Sequence, residues 1–389
     1  MREKRVAFAP GFVASEATDA VNLCMQLNGT GLAGQSPPVV SSRWLLQFDS
    51  RQTDLSLKES RDRADGTQQV IDGMGPFDNA WAAWKSLQDE QLYAVVIRGT
   101  VDSASSILDD VLSTSIRASS ALPVKAPDGS MRRLPLSMVS SANAANAAVH
   151  LGFVWGTAIL VYQRELGILK YLLGLPAGSK ILIAGHSQGA AIATLIHAML
   201  LHASTDATGP LADALKPKGF QYKSYVFAQP KPGNWQFGHD YAQMTGNRGL
   251  ALCLNNNRDW VPQVPLTVDL PDEVTNNPID PYLATKHPVL RVIANLLGRA
   301  AQAGRVAIGD VAQFAADRAK DYLGAHIDGH FLSAGVVDDT APYLNYVQCG
   351  RLYSLCADAA PEENTDALWQ HHCGNYARLL AQQGSSFGY

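Results

Sequence analysis

The amino-acid sequence predicts an α/β fold, in which a mostly parallel central sheet is flanked by helices. Three observations support this prediction. Short apolar runs without a helical period are typical of strands buried on both faces, and stretches of helical length alternate with them. A sharp strand–turn–helix transition lies near the middle of the chain. The predicted buried strands are Tyr93–Ile97, Lys180–Ala184, Tyr225–Ala228 and Leu250–Leu254.

The composition is that of a globular protein with a substantial core. The chain has 389 residues, of which 47% are apolar and 17% charged. We expect a single domain over residues 1–389, with a core at about residues 80–266 and 341–389. Insertions are expected at about residues 101–148 and 267–340, and the second is mostly helical. The net charge of −4 and the lack of a block of like charges argue against a nucleic-acid partner.

Targeting signals are weak in this sequence. The sequence contains no run of 18 apolar residues, so we expect no transmembrane helix. The start MREKR resembles a signal-peptide n-region, but the apolar run that follows is short and contains Pro10 and Gly11. We therefore expect no cleavable signal, and a protein that is cytoplasmic or exported by a signal-less route. The five cysteines have no C-x-x-C spacing, and we expect all to be reduced, with a pair among the last three as the alternative.

Several elements are expected before the central transition. A helix over Ala14–Leu27 and a strand over Ser41–Asp49 come first. The predicted strand Tyr93–Ile97 ends at Arg98-Gly99-Thr100, in a loop at the edge of the sheet where an acyl-transfer enzyme needs an oxyanion donor. Thr100 offers both a backbone N–H and a hydroxyl.

The first insertion contains two local signals. Ser105–Leu112 predicts a short amphipathic helix with Ser at its N-cap. Asp128-Gly129 predicts a hairpin turn, which could belong to a flap over a site or to a plain surface hairpin. The Val149–Phe153 segment is expected to precede a helical run to Leu173, and His150 is expected to have a structural role.

The segment Lys180–Leu201 (KILIAGHSQGAAIATLIHAMLL) predicts a nucleophile elbow. A serine at a sharp strand-to-helix turn adopts a strained backbone conformation, and flanking glycines remove the Cβ atoms that would clash. The hydroxyl of Ser187 would then project from the carboxyl edge of the sheet, where the helix N-terminus favours developing negative charge. The alternative is an ordinary tight turn.

A carboxylate is expected at the same edge of the sheet. Leu250–Leu254 runs into Asn255–Pro262, which places Asp259 in a loop after a parallel strand. A buried carboxylate there can accept the Nδ1 proton of a histidine, fix its tautomer and stabilise the imidazolium. The alternative is that Asp259 caps a turn.

The second insertion is expected to hold two helices, VLRVIANLLGRAAQAG and VAIGDVAQFAADRAKDYL. We expect its apolar stripe to pack on the core, with a lid or a lipid-binding surface as the alternative; the stripe comprises Val289, Val292, Ile293, Leu296 and Leu297. A strand pair or hairpin over Tyr343–Leu355 and an amphipathic helix over Asp366–Leu380 are expected to follow.

The HIDGH segment contains three residues of metal-ligating type. His326, Asp328 and His330 would share one face of a strand, and such a trio can bind zinc. Gly329 interrupts the strand, and no further ligand is close in sequence. We therefore expect no metal site, and nothing in the sequence calls for an organic cofactor.

Seven segments in order resemble the class 3 lipases, the group typified by fungal triacylglycerol lipases. They are VVIRGT, VHLGF, AGHSQGAAIATL, VFAQPKPGN, NNNRDWVPQVP, YVQCG and HHCGNY, and they span roughly residues 92–380. The resemblance implies an α/β-hydrolase fold with lid-like insertions. Ala190 and Ala228 depart from the family pattern, which usually has glycine at both positions.

The resemblance also implies roles for individual residues. It makes Ser187 the nucleophile and Asp259 the acid that orients the base, and it makes Thr100 and the N–H of Gln188 the oxyanion hole. In the family, two or three residues separate a histidine from a tyrosine that follows it. His372 fits this spacing to Tyr376 and is the expected base, and His371 and His330 are the alternatives.

The expected activity is that of a serine carboxylester hydrolase that forms an acyl-enzyme. The resemblance implies a lipid ester, as for a triacylglycerol lipase, and leaves open transient contact with a membrane or lipid surface. The alternatives are a phospholipase A acting on membrane phospholipids and a soluble short-chain esterase or thioesterase. The most distant alternative is a non-catalytic binding protein on a hydrolase fold.

Overall fold

A computed structural model of the chain describes residues 7–29, 37–52, 59–62, 68–71, 73–75, 78–99, 115–140, 142–205, 207–263, 265, 317–327, 340–341, 345–359 and 368–387. Its strands are β1 (Trp44–Asp49), β2 (Glu59–Asp62), β3 (Gln68–Ile71), β4 (Trp81–Ser86), β5 (Leu92–Ile97), β6 (Ser115–Arg117), β7 (Ala121–Lys125), β8 (Met131–Pro135), β9 (Ala148–His150), β10 (Lys180–His186), β11 (Gln221–Phe227), β12 (Gly233–Asn234), β13 (Ala251–Asn256), β14 (Thr340–Ala341), β15 (Tyr346–Val347) and β16 (Arg351–Leu355).

The helices alternate with the strands of the main sheet. They are α1 (Ala14–Asn28), α2 (Leu151–Tyr162), α3 (Ile168–Gly174), α4 (Gln188–Thr205), α5 (Pro210–Leu215), α6 (Trp235–Thr245) and α7 (Cys373–Gln383). Residues 317–326 are also helical. Within the described part of the chain, no helix is both long enough and apolar enough to cross a membrane.

The main sheet has seven strands in the order β1-β4-β5-β10-β11-β13-β16. The pairs β5–β10, β10–β11, β11–β13 and β13–β16 are parallel, whereas β1–β4 and β4–β5 are antiparallel. The predicted α/β fold with a mostly parallel sheet is thus confirmed. The carboxyl ends of five neighbouring strands lie along one edge, where ligands bind in open α/β sheets.

The sheet is buried on both faces, which explains the continuous apolar runs of its central strands. Ile181 and Ile183 of β10 belong to one hydrophobic cluster, which includes side chains of α2 and α4. Leu182 and Ala184 belong to a second cluster with side chains of α1 and α7. Because successive side chains of a strand point to opposite faces, a strand between two helical layers needs apolar residues at every position.

Smaller sheets lie beside the main one. One has five short strands in the order β14-β6-β9-β12-β15, and the pairs β2–β3 and β7–β8 are two-stranded. The β7–β8 pair forms the hairpin predicted at Asp128-Gly129. The predicted helix Ser105–Leu112, the apolar stripe of the second insertion, Asp328 and His330 lie outside the described residues.

The structure corrects two predicted elements. The helical run to Leu173 is split into α2 and α3, because Gln163 ends α2 and its side-chain oxygen accepts the N–H of Glu165 at 2.6 Å. Tyr343–Leu355 does not form a hairpin, because β15 joins the five-stranded sheet and β16 joins the main sheet. The side chain of Gln229 fixes the crossing point by hydrogen bonds to both the N–H (2.8 Å) and the carbonyl (3.2 Å) of Cys349.

Candidate active site

Ser187 occupies the sharp turn between β10 and α4. Its φ of +59° is unusual for a residue with a side chain. The two glycines of the G-x-S-x-G pentapeptide allow the turn to pack tightly. A Cβ atom on Gly185 would lie 2.2 Å from the carbonyl oxygen of Gly189, and one on Gly189 would lie 2.4 Å from the carbonyl oxygen of Ile97. The local geometry is therefore that of the predicted elbow.

The backbone around Ser187 is anchored to the neighbouring strands. The N–H of Ser187 donates to the carbonyl of Phe227 at 3.0 Å, and α4 begins at the next residue, Gln188. The N-terminus of a helix carries partial positive charge and backbone N–H groups without helical partners. An anion that forms above Ser187 would meet this end of α4.

The loop that follows β5 also reaches Ser187. A Cβ atom on Gly99 would lie 2.9 Å from the carbonyl oxygen of His186 and 3.4 Å from the Cβ of Ser187. The N–H of Gly99 donates to the side-chain oxygen of Asn28 at 3.2 Å, which fixes the start of the loop. Thr100, the expected second oxyanion donor, lies outside the described residues.

The imidazole of His371 bridges Ser187 and Asp259. Its Nε2 lies 2.7 Å from the Oγ of Ser187, and its Nδ1 lies 2.8 Å from the Oδ2 of Asp259. The expected assignment of His372 to the position between the nucleophile and the acid is therefore corrected. The structure brings together Ser187, Asp259 and His371.

The local backbone explains the choice between the two histidines. Among the described residues, the C-terminal helix begins at Cys373, later than the predicted Asp366–Leu380, and residues 369–371 form a separate 3₁₀ turn. His371 ends this turn, whereas the carbonyl of His372 accepts the N–H of Asn375 in the first turn of α7. The family spacing favoured His372 because it is a count of residues along the chain to Tyr376. Such a count does not include the break between the 3₁₀ turn and α7.

Asp259 is buried and accepts three hydrogen bonds. They come from Nδ1 of His371, from the hydroxyl of Tyr376 at 2.7 Å and from the N–H of Val261 at 3.0 Å. Burial alone raises the pKa of a carboxyl group. Here these hydrogen bonds and the charge of a protonated His371 outweigh burial, so the pKa of Asp259 lies below its ordinary value of 3.8. The carboxylate therefore stays ionised at neutral pH.

The hydrogen bonds define one protonation pattern for the site. A carboxylate can only accept, so the Nδ1 of His371 must carry its proton. The Nε2 of a neutral His371 then has a free lone pair directed at the hydroxyl of Ser187. This arrangement can take a proton from Oγ as the oxygen attacks an electrophile, and the carboxylate of Asp259 can stabilise the imidazolium that results.

Two further side chains belong to the site and were not assigned to it from the sequence. Tyr376 donates to Asp259 and accepts the N–H of Asn256 at 3.1 Å. Its place in the histidine–tyrosine spacing was a signal that it belongs here. His186, the second residue of the pentapeptide, lies within hydrogen-bond distance of the His371 backbone. No sequence signal distinguishes it from any other residue at this variable position.

The described residues contain no group of three or more histidine, cysteine, aspartate or glutamate side chains that could hold a metal ion. Of the HIDGH trio, His326 is described. Its Nδ1 lies 2.8 Å from the carbonyl of Tyr322 within the helical segment 317–326.

Comparison with known proteins identifies relatives among the lipases. Residues 94–269 match the model of the class 3 lipase family. A stretch of 85 residues is 34% identical to a protein described as the secreted mono- and diacylglycerol lipase LIP4 of Malassezia restricta. That stretch covers 22% of this chain and 23% of the relative, so the match spans less than a quarter of the relative's length.

Solved lipase structures match the chain at low sequence identity. The crystal structure of M37 lipase is 15% identical, and the match covers 94% of both chains with a TM-score of 0.48. A fungal lipase–inhibitor complex is 17% identical over 65% of this chain and 74% of that chain, with a TM-score of 0.40. The Rhizomucor miehei triacylglyceride lipase is 16% identical over 65% and 73%, with a TM-score of 0.35.

Proposed function

We propose that the chain is a serine hydrolase of lipid carboxylic esters, and the match of residues 94–269 to the model of the class 3 lipase family supports this proposal. The observation that supports the proposal most directly is the imidazole of His371, which lies within hydrogen-bond distance of both Ser187 Oγ and Asp259. These contacts join residues that are more than 100 positions apart in the sequence, and they occur at a turn with a strained backbone. Strain of this kind is concentrated at functional sites.

The proposed reaction has two halves. In the first, Oγ of Ser187 attacks the ester carbonyl carbon while Nε2 of His371 takes its proton. The tetrahedral intermediate collapses, the C–O bond to the alcohol breaks, and His371 returns the proton to the departing alcohol. In the second half, His371 takes a proton from water as the water attacks the acyl-enzyme. The bond between the acyl carbon and Oγ then breaks, His371 returns the proton to Oγ, and the free acid leaves. Asp259 keeps the imidazole oriented throughout.

The oxyanion of each tetrahedral intermediate needs donors that are in place before the reaction begins. We assign this role to the backbone N–H of Gln188, at the N-terminus of α4, and to Thr100, which follows Gly99. The closeness of Gly99 to the Cβ of Ser187 supports this assignment for the loop. Loss of one such donor costs about 10²–10³ in kcat in serine hydrolases.

The proposed substrate is an acylglycerol. Two large apolar side chains that are close in sequence to the site residues are exposed. Trp260, directly after Asp259, is 54% exposed, and Leu368, three residues before His371, is 41% exposed. Contiguous exposed apolar surface is typical of sites that contact apolar ligands, and these two side chains would contribute to such a surface. The name of the Malassezia restricta relative, a mono- and diacylglycerol lipase, supports the same substrate class.

The test is hydrolysis of a series of esters of increasing acyl length, together with a phospholipid, by the wild-type protein and by Ser187→Ala. We expect the wild type to hydrolyse long-chain acylglycerols and Ser187→Ala to be inactive, because the nucleophile is lost. The matched control is Ser130→Ala, which removes a hydroxyl from the exposed β7–β8 turn and should leave activity unchanged.

The same series separates the alternatives. Activity that falls as the acyl chain lengthens would identify a short-chain esterase, and preferential release of fatty acid from phospholipid would identify a phospholipase A. Activity that persists in Ser187→Ala would contradict the proposed nucleophile. A wild type that is inactive on all esters, and whose Ser187 does not react with a fluorophosphonate in detergent, would indicate a binding protein.

A further inference from the structure

His186 contacts the backbone of the proposed base. It is the last residue of β10, and its Nε2 lies 2.8 Å from the carbonyl oxygen of His371. A carbonyl oxygen can only accept a hydrogen bond. The Nε2 of His186 must therefore carry a proton and donate a hydrogen bond to the carbonyl oxygen of His371. This bond joins the end of the strand that carries Ser187 to the turn that carries His371.

The surroundings of His186 keep it neutral and in one orientation. Only 5% of the residue is exposed. Its ring lies 4.8 Å from the ring of His371 and meets the ring of Tyr376 edge-on at 5.6 Å. Burial, and next the neighbouring His371 imidazole, lower the pKa of His186 to about 3. At neutral pH the ring is thus a single fixed donor and is not a candidate proton acceptor for the reaction.

The hydrogen bond from His186 lies at the point in the chain where either of two adjacent histidines could be directed at Ser187. His371 and His372 are adjacent, and the N–H groups of both donate to the carbonyl of Leu368, at 2.8 and 3.1 Å. The N–H of His372 and the carbonyl of His371 belong to the same peptide group. Leu368 accepts from the N–H of this group and His186 donates to its carbonyl, so the bond to His186 is a second constraint on the rotation of the peptide.

We propose that His186 is a positioning residue whose hydrogen bond to the His371 carbonyl holds the turn in the rotation that presents His371, and not His372, to Ser187. This inference rests on the proposed function, because it assumes that His371 is the base. The contact is separate from the Ser187–His371 hydrogen bond, so it orders the base before any substrate binds. Displacement of a catalytic group by about 1 Å can reduce a rate about 100-fold.

A matched pair of variants isolates the donor from the packing. His186→Gln places an amide nitrogen the same number of bonds from the backbone as Nε2, and His186→Met has the same chain length without a donor. We expect His186→Met to lose about 100-fold in kcat with KM unchanged, and His186→Gln to remain within a few-fold of wild type. The rate of Ser187 labelling by a fluorophosphonate should fall and recover in parallel.

Proton NMR gives a readout that packing alone would not change. The proton shared between His371 Nδ1 and Asp259 gives a low-field signal when the imidazole is held against the carboxylate. The signal should be present in the wild type and in His186→Gln, and weakened or absent in His186→Met. If His186→Met does not fold, His186→Asn replaces it, because its amide is one bond too short to reach the His371 carbonyl.

Each outcome decides between the possibilities. Wild-type kcat in the variant without a donor would overturn the inference. Equal losses in His186→Gln and in the variant without a donor would also overturn it, because the ring would then serve packing alone. Failure of the proposed function is distinguishable, because it would appear as activity that survives Ser187→Ala, a variant that leaves His186 and its hydrogen bond in place.

Discussion

His371 and His372 carry the same side chain, and their different places follow from the backbone. His371 is the last residue of a 3₁₀ turn and its ring lies between Ser187 and Asp259. His372 directly precedes α7, and its carbonyl accepts a hydrogen bond from Asn375 in the first turn of that helix. The chemistry of an imidazole is identical at both positions. Distance to the serine hydroxyl is what assigns a role in general base catalysis.

Substitution of the two histidines tests this assignment directly. We expect His371→Gln to lower kcat by about 10⁴-fold, because no other group in the described site can take the proton of Ser187. His372→Gln should keep kcat within a few-fold of wild type and is the matched control. Steady-state kinetics on a soluble ester measure both. A larger loss of kcat in His372→Gln than in His371→Gln would identify His372 as the base.

The elbow shows how an element depends on the smallest side chain. Gly185 and Gly189 lie on either side of Ser187, and each approaches backbone atoms too closely to tolerate a Cβ. The obstacles are carbonyl groups of neighbouring backbone, which cannot rotate away as a flexible side chain could. The turn between β10 and α4 can therefore keep its shape only while both positions are glycine.

A Gly189→Ala substitution should disrupt this element. The added Cβ would lie 2.4 Å from the Ile97 carbonyl oxygen and would push α4 away from β5. We expect a loss of about 3 kcal/mol in the free energy of unfolding, typical of overpacking, together with slower fluorophosphonate labelling of Ser187. Denaturant unfolding measures the loss.

Gly174→Ala is the control for this experiment. Gly174 is exposed at the end of α3, and a Cβ atom added there would meet no neighbouring atom within 4 Å outside its own helix. Alanine is also the better helix former, so stability should be unchanged or slightly higher. If Gly189→Ala proved as stable and as reactive as Gly174→Ala, tight packing at the elbow would not be a requirement.

The whole molecule brings the site together over long stretches of sequence. The hydrogen bond from His371 to Ser187 joins residues 184 positions apart, and the one to Asp259 joins residues 112 apart. The parallel sheet holds Ser187 and Asp259 at one edge. Helix α7, which packs in the same cluster as α1, delivers the turn that carries His371. The site should therefore be lost when α7 separates from the sheet.

Acid should destabilise the folded protein from near neutral pH downwards. Burial lowers the pKa of His150, His186 and His197 to about 3, and the neighbouring His371 adds to this effect at His186. In the unfolded chain these pKa values return to about 6.5. Because the folded values are lower, the stability is fully present above about pH 6.5 and is lost as the pH falls towards about 3.

Denaturant unfolding between pH 8 and pH 4.5 measures this dependence. Near pH 5, the slope of unfolding free energy against pH should include the uptake of about three protons, one for each buried histidine. His197→Gln should reduce the slope by about one proton. His239→Gln, on the exposed face of α6, is the control and should leave it unchanged. A flat profile from pH 7 to pH 4.5 would contradict the prediction.

Much of the fold could be read directly from the sequence. The apolar runs of β5, β10, β11 and β13 reflect burial on both faces of a sheet, and this burial requires the same residue types in any such fold. The elbow could also be predicted from the sequence, because Gly185, Ser187 and Gly189 occupy a strand–turn–helix context in which only those residue types fit. The loop position of Asp259 followed from the strand before it.

The tertiary structure was needed to choose between two adjacent histidines and to identify contacts between residues that are distant in the sequence. The choice of His371 over His372 depends on the rotation of one turn, and a spacing rule counted along the chain cannot report it. The contacts of Tyr376 with Asp259 and of His186 with the His371 carbonyl join separate elements. Sequence patterns record the local demands of burial and backbone conformation, whereas hydrogen bonds between distant segments arise only when those segments pack together.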